Sequence, residues 1–182
     1  MEHYDDDKLI ALFREEASQN NAYHLIVQKY KERLYWHIRR IVINHDDADD
    51  VLQNTLIKAW KGLSGFKAES KLYTWLYRIA TNEAITFLNQ KKKRFFIPIV
   101  DVEKELAQSL ESDEFYTGDE IQLKLQKAIL TLPEKQRLVF NMKYYEEMKY
   151  EEISKILDTS VGALKASYHH AVKKIEIYLT AD

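Results

Sequence analysis

Between residues 46 and 94 the apolar side chains recur at steps of three and four, the spacing that lines one face of an α-helix. Ala48, Leu52, Thr55, Ala59 and Leu63 form a first stripe. Leu72, Leu76, Ile79 and Leu88, with Ala80 and Ala84 beside them, form a second. Gly62, Ser64 and Gly65 separate the two stripes, and such residues favour turns. The stretch predicts helix, polar loop, helix. Asp46, Asp47, Asp49 and Asp50 crowd the start of the first helix, where the macrodipole favours anions. Lys91, Lys92, Lys93 and Arg94 end the second, where it favours cations. Ordinary capping accounts for both charge runs. It does not account for Tyr73, Trp75 and Tyr77, which cannot all face one core, so part of that set must lie near solvent.

The rest of the chain extends this helical pattern. Only 4 glycines and 2 prolines occur in 182 residues, which with the periodicity predicts an all-α protein. Residues 8–18 read as a short helix with Leu9, Leu12 and Phe13 inward. Asn20 or Asn21 is the expected cap of a longer helix running to about residue 43, with Ile26, Tyr30, Leu34, Ile38 and Ile41 on one side. Lys29, Lys31, Arg33, Arg39 and Arg40 fall on the other side, either as a solvated face or as a groove for phosphates or an acidic partner. After Arg94 the composition changes to an apolar stretch with Pro98, then a tract rich in Asp and Glu. Residues 95–118 are therefore expected to form a flexible acidic linker, with a helical turn around 103–110, between domains at 1–94 and 119–182.

In the second domain, Ile121, Leu125, Ala128, Ile129 and Leu132 form a stripe ended by Pro133, which suits the first turn of the next helix. A short helix at 150–157, a connection through Asp158, Thr159 and Ser160, and a longer last helix make a helix-turn-helix pattern. No carboxylate occurs from 159 to 175, while Lys165, His169, His170, Lys173 and Lys174 do. A helix entering the major groove needs such a side, because phosphates repel carboxylates.

Several classes are excluded or left without support. Cysteine is absent, so no disulfide framework and no thiolate metal site can form. The start, with Glu2 and Asp5 to Asp7, lacks the basic and apolar segments of a signal peptide, and no apolar run approaches the ~20 residues of a membrane span. The expectation is a soluble, cytoplasmic protein without membrane insertion. A formal net charge of −2 argues against indiscriminate coating of nucleic acid but permits a local basic face. No His-Glu-x-x-His, phosphate-cradling Gly loop or nucleophile motif is present, so no catalytic residues, no metal and no cofactor are expected, and no enzyme. His169 and His170 are adjacent and point in different directions on a helix, which rules them out as a paired metal site.

Asp50-Val-Leu-Gln53, then Ala59-Trp60, then the run from Phe66 to Ser70, then the run from Tyr73 through Trp75 and Arg78 to Asn82 resemble the second conserved region of sigma factors. Leu132-Pro133, Tyr150-Glu-Glu-Ile153, Val161 to Lys165 and His170-Ala171 resemble the fourth. Their order, and the missing third region, are similar to the extracytoplasmic function (ECF) group of the sigma-70 family. The resemblance implies a promoter-recognition subunit that binds core RNA polymerase and promoter DNA and, as in many members, an anti-sigma factor. It implies core-polymerase contacts at Asp49, Asp50 and Gln53, and minus-ten DNA contacts at Phe66, Lys67, Ser70, Trp75, Arg78 and Asn82. Minus-thirty-five contacts fall on Lys165, Ala166, His169 and His170. The chain departs from the family's pattern at Asn54, where an acid is frequent, at Asp158, where Gly is common, and at Ala166, Ser167 and His170. A helix-turn-helix regulator acting without core polymerase would explain the second domain only, and a simple adaptor is the third reading.

Overall fold

The computed structural model describes residues 5–94, 106–112 and 119–181. Among them every regular element is helical. The N-terminal half contains α1 (Asp6–Arg14), α2 (Gln19–Val42), α3 (His45–Leu63) and α4 (Leu72–Arg94). The C-terminal half contains α5 (Glu120–Leu130), α6 (Glu134–Tyr144), α7 (Tyr150–Leu157) and α8 (Val161–Thr180). In the first half α2 packs on α1, α3 and α4, and α3 packs on α4. In the second, α8 packs on α5, α6 and α7.

Local chemistry sets the boundaries, in places differently from the sequence expectation. Helix α1 begins earlier than residue 8 because Asp5 accepts a hydrogen bond from Lys8 N–H at 2.8 Å and Asp6 and Asp7 fill the first turn. It ends at Arg14 rather than residue 18. The Ser18 hydroxyl donates back to the Leu12 carbonyl at 2.7 Å, satisfying a terminal acceptor of α1. Ser18, not Asn20 or Asn21, precedes α2, and its side chain makes no cap bond to that helix. Pro133 occupies the cap position of α6, one residue earlier than its expected place in the first turn. Asn44, Asp119 and Ser160 cap α3, α5 and α8 with side-chain acceptors.

The two stripes that define α3 and α4 form the centre of the core. Ala48, Leu52, Thr55, Ala59 and Leu63 are buried, and so are Leu72, Leu76, Ala80, Ala84 and Leu88. Ile79 is half-buried. Ile43, which ends α2, adopts φ 64° although it is β-branched. Such a sparsely populated backbone conformation costs on the order of 1–3 kcal/mol. Full burial of the Ile43 side chain, of comparable magnitude, offsets it. On the side of α2 expected to be basic and solvated, Lys31 and Arg33 are exposed but Arg39 is buried. The end of α2 is a packed surface, where α6 lies against it and Asn141 Nδ2 donates to the Arg40 carbonyl at 3.5 Å.

The two halves do not keep separate cores. Leu138, Val139, Met142, Met148, Ile153, Ile156 and Leu164 join the N-terminal cluster, while Ala128, Ile129, Leu132, Phe140, Ala171 and Ile175 form a second one. Most of the expected linker lies outside the described residues. Residues 106–111 are helical, near the expected turn, and Leu106 and Leu110 are buried in the first core. This part is packed structure rather than a solvated tether.

His37 lies fully inside, between α2 and α4, with its ring 4.8 Å from that of Tyr77. The Thr81 hydroxyl gives its hydrogen to the Tyr77 carbonyl, so the neutral imidazole donates from Nε2 to Thr81 Oγ1 at 2.8 Å. Burial, reinforced by Arg40, pushes the imidazole pKa down from 6.5 to about 3. The folded state therefore holds a neutral ring where the unfolded chain takes up a proton. Stability from this site is complete above pH 6.5 and is lost progressively as the pH falls towards about 3. Urea unfolding between pH 6.5 and about 5 should show stability falling by up to about 1.4 kcal/mol per pH unit from this one group. His37→Gln, which does not titrate, should remove that component of the slope; an unchanged slope would show that His37 is not the group responsible.

Candidate nucleic-acid interface

Residues 64–71 join α3 to α4 and make a loop of fixed shape. Gly65 N–H and Phe66 N–H donate to the Gly62 and Leu63 carbonyls, both at 3.1 Å. Arg14 Nη2 reaches across from α1 and donates to the Phe66 carbonyl at 2.8 Å. Ala68 takes φ 56°, a left-handed turn that projects Lys67 and Glu69 outward. Phe66 itself points inward and packs on Trp75, with ring centroids 5.2 Å apart. Gly62 makes room for that indole: a Cβ there would lie 3.1 Å from the Trp75 ring.

The loop and the first turns of α4 enclose a cavity of about 540 Å³. Phe66, Lys67, Ser70, Trp75 and Arg78, all expected minus-ten residues, line it together. Arg78 and Trp75 lie one and two turns before Asn82 on α4, and Arg78 and Asn82 are exposed. Asn82 lies beyond the cavity lining, further along the same ridge. Trp75 is half-buried, so its indole serves the packing on Phe66 and still shows an edge to the cavity. Of the aromatic run, Tyr77 is fully buried and Tyr73 half-buried. An aromatic edge, cations and a small polar loop around one concavity suit a single unpaired base with its phosphates.

The other two expected sets lie elsewhere. Asp49, Asp50 and Gln53 are exposed on α3, next to the cap where His45 Nε2 stands 3.6 Å from Asp49. Ile57, one turn beyond Gln53, is 51% exposed and extends that face with an apolar side chain. Sequence reasoning missed it; the sign was an isoleucine off the Leu52–Thr55–Ala59 stripe. On α8, Lys165, Ala166, His169 and His170 are exposed together. Ser160 caps the helix by accepting from Ala163 N–H at 3.3 Å, and Asp158 turns the chain at φ 49°, ψ 49°. This is the left-handed conformation that Asp tolerates where Gly is the usual choice. Lys165 Nζ stands 5.8 Å from the Tyr150 ring, which orients the side chain early in the helix. No group of side chains able to hold a metal occurs among the described residues.

A further set escaped the sequence reading altogether. Glu146, in the turn between α6 and α7, accepts from Arg40 Nη1 and from the Tyr77 hydroxyl, each at 2.7 Å. Glu152 on α7 accepts from Lys71 Nζ and from the Tyr73 hydroxyl, each at 3.1 Å. Burial raises the Glu152 carboxyl, but hydrogen bonds from Lys149 N–H, Lys71 and Tyr73 outweigh it and hold the group below its usual range. Burial and Glu146 together push the Tyr77 hydroxyl well above the usual phenol range. Across the cavity from Trp75, the wall is completed by Ser154, Lys155 and Asp158 of the C-terminal half.

Comparison with known proteins places this geometry. Residues 26–94 match the family model of sigma-70 region 2, and residues 122–175 match that of sigma-70 region 4. The RNA polymerase sigma-H factor of Pseudomonas aeruginosa is 31% identical over 173 residues, covering 90% of this chain and 89% of that protein. The ECF RNA polymerase sigma factor SigW of Bacillus subtilis is 31% identical over 157 residues, covering 82% of this chain and 84% of that protein. The fold is also similar to the sigma factor RpoE in complex with the anti-sigma factor NepR from Bartonella quintana. There the TM-score is 0.68 at 21% identity, over 88% of this chain and 98% of that one. Region 2 supplies the ridge and the loop and α4 side of the cavity, region 4 supplies the helix-turn-helix of α7 and α8 with the facing wall, and the chain belongs to the ECF group of the sigma-70 family.

Proposed function

We propose that this chain is a subunit, not an enzyme, that binds core RNA polymerase in the cytoplasm, directs it to promoters and opens the DNA there. The observation that carries this reading is the cavity lined by Phe66, Lys67, Ser70, Trp75 and Arg78 at the foot of a ridge ending in Asn82. Taking a base out of a duplex costs a few kcal/mol. An aromatic edge and nearby cations offset that cost for the separated strand. Asn82 carries both a donor and an acceptor for the edge of a neighbouring base. The face of Asp49, Asp50 and Gln53, extended by Ile57, is the core-polymerase contact, since exposed carboxylates and an amide beside an apolar side chain suit a basic partner helix. Lys165, Ala166, His169 and His170 read the minus-thirty-five element in the major groove. An anti-sigma factor is the expected regulator, as the similar sigma factor RpoE is bound by the anti-sigma factor NepR. Among the described residues no helix is long and apolar enough to cross a membrane.

The direct test adds the protein to core polymerase and asks for promoter-dependent transcript, followed by sequencing of the bound DNA. Transcript that requires both components supports the reading. Duplex binding by the chain alone, with no effect on core polymerase, would favour the solitary regulator. Within the holoenzyme, Asn82→Ala should keep fold and polymerase binding but slow promoter opening, with a loss of about 1–3 kcal/mol typical of one base contact. Premelted promoter DNA should restore only part of the rate. Opening of closed duplex at the normal rate would remove Asn82 from the reading set. Lys165→Ala should relax discrimination at one base pair of the minus-thirty-five element, the matched site losing about 1–3 kcal/mol and mismatched sites little. Titrations at several salt concentrations check this, because a phosphate contact would instead weaken all sequences alike and lower the salt slope by about one counterion.

A further inference from the structure

The loop at residues 64–71 has a cavity on each of its faces. One is the minus-ten cavity of about 540 Å³. The other, of about 550 Å³, lies between the loop, the first turns of α1 and Lys29. Phe66 and Ser70 line both. The loop is thus a thin wall, and beyond the Phe66 ring packing does little to fix its shape. Its shape rests instead on a few tie points. Gly65 N–H and Phe66 N–H bond back to the end of α3. Two cations hold carbonyls of the loop from outside it: Lys155 of α7 donates to Glu69 at 3.3 Å, and Arg14 Nη2 donates to Phe66 at 2.8 Å. The second bond is the shorter, and it comes from the same half of the molecule as the loop.

Helix α1 delivers Arg14 to a fixed point. At its first turn Asp6 accepts from Lys29 Nζ and from the Tyr30 hydroxyl, each at 2.7 Å. At its last turn Phe13 is buried edge-on against Trp60 of α3, with ring centroids 5.1 Å apart. A helix held at both ends cannot slide, and Arg14 directly follows Phe13. A cation in the last turn of a helix also suits the macrodipole. Here, however, the Leu12 carbonyl is served by Glu15 N–H at 3.3 Å and by the Ser18 hydroxyl at 2.7 Å. The Arg14 side chain turns away from its own helix to a carbonyl 52 residues further along the chain. Hydrogen bonds from a charged donor are stronger than those between neutral groups.

The held carbonyl matters because a peptide unit is planar. Fixing the Phe66 oxygen fixes the plane it shares with Lys67 N–H, and with it the direction in which Lys67 leaves the backbone. The next residue, Ala68, takes the left-handed φ of 56°, which a side chain other than glycine adopts only under constraint. We propose that Arg14 is a positioning residue for base recognition: by holding the Phe66 carbonyl it sets the loop wall of the minus-ten cavity, and so sets which base the cavity accepts, without touching the base. This rests on the promoter-opening role proposed above and adds a specificity determinant to it. The determinant lies outside residues 26–94, the stretch that matches sigma-70 region 2. Two chains with the same loop sequence would then differ in base preference if their first helices differ at this position.

The test uses the full chain assembled with core polymerase. Arg14→Met keeps the unbranched stem and loses every donor; Arg14→Lys keeps a cation that can donate to the same carbonyl. The promoter obtained by sequencing bound DNA is compared with variants in which each base pair of its minus-ten element is replaced in turn. The readout is the ratio of opening rates, matched over substituted, at each position. Both rates come from one protein sample, so partly unfolded protein lowers them together and leaves the ratio unchanged. Arg14→Met should lower the ratio about five- to tenfold at one position, a loss within the range of a single base contact, and leave the others as they are. Arg14→Lys should restore it. An unchanged ratio at every position would overturn the proposal. An equal slowing on every promoter with a flatter salt dependence would overturn it too, because Arg14 would then be a phosphate contact. A ratio that stays low in Arg14→Lys would also overturn it, since a donor to the carbonyl would not be what matters. The parent chain separates this from the role beneath it: no promoter-dependent opening by the parent speaks against the sigma-factor reading, whereas normal opening with unaltered ratios in Arg14→Met speaks against the positioning role alone.

Discussion

Helix α4 has to be two things at once, and the rest of the molecule follows from that constraint. Its 3.6-residue period gives one face to the core, through Leu72, Leu76, Ala80, Ala84 and Leu88, and the opposite face to solvent, through Arg78 and Asn82. Arg78 and Asn82 on the outer face are exposed and take no part in the core packing. The helix is therefore anchored from the inside and at its ends. Lys91 reaches Asp47 at the start of α3 at 3.1 Å, and Lys58 pairs with Glu83. Phe66 and Trp75 make the transition between the two faces, with the indole packed on one side and open on the other.

Beside this ridge, the corner of α2 and α4 gathers cations and phenols that need acceptors. The structure answers with the C-terminal half. Glu146 and Glu152 bring carboxylates to Arg40, Tyr77, Lys71 and Tyr73, and Met148, Ile153 and Ile156 bury apolar surface in the same core. Apolar contact supplies cohesion without direction. The carboxylates supply orientation, since each oxygen must find its own donor. The two contributions respond differently to solvent: raised salt weakens the ion pairs and leaves the apolar contact in place.

The sequence carried the fold through periodicity and turn chemistry. The stripes of α3 and α4, the caps at Asp119 and Ser160, and the left-handed Asp158 follow from rules acting over a few residues. That Phe66, Lys67, Ser70, Trp75 and Arg78 lie close together was legible for the same reason, since they come from one loop and one helix. The errors have a shared cause in contacts between distant parts of the chain. Arg39 looked solvated on a helical wheel, yet it is buried at the packed end of α2. Residues 106–111 looked like part of a tether, yet Leu110 is fully buried. Glu146 and Glu152 carry no local sign of a partner, and only the approach of α2 and α4 supplies one. Ile57 gave a local sign, an apolar residue off its stripe, that a wheel would have shown.

The central claim is that the outer face of α4 holds the separated strand of an opened promoter. It is tested most directly by placing the photoreactive residue p-benzoylphenylalanine at Arg78, on the exposed ridge beside the cavity, and irradiating the holoenzyme on promoter DNA labelled separately on each strand. The account predicts a crosslink to one strand only, within the minus-ten element, that appears as the promoter opens and is absent at temperatures where the complex stays closed. A crosslink of equal yield to both strands of closed duplex, or none to DNA in a complex that is actively transcribing, would contradict it.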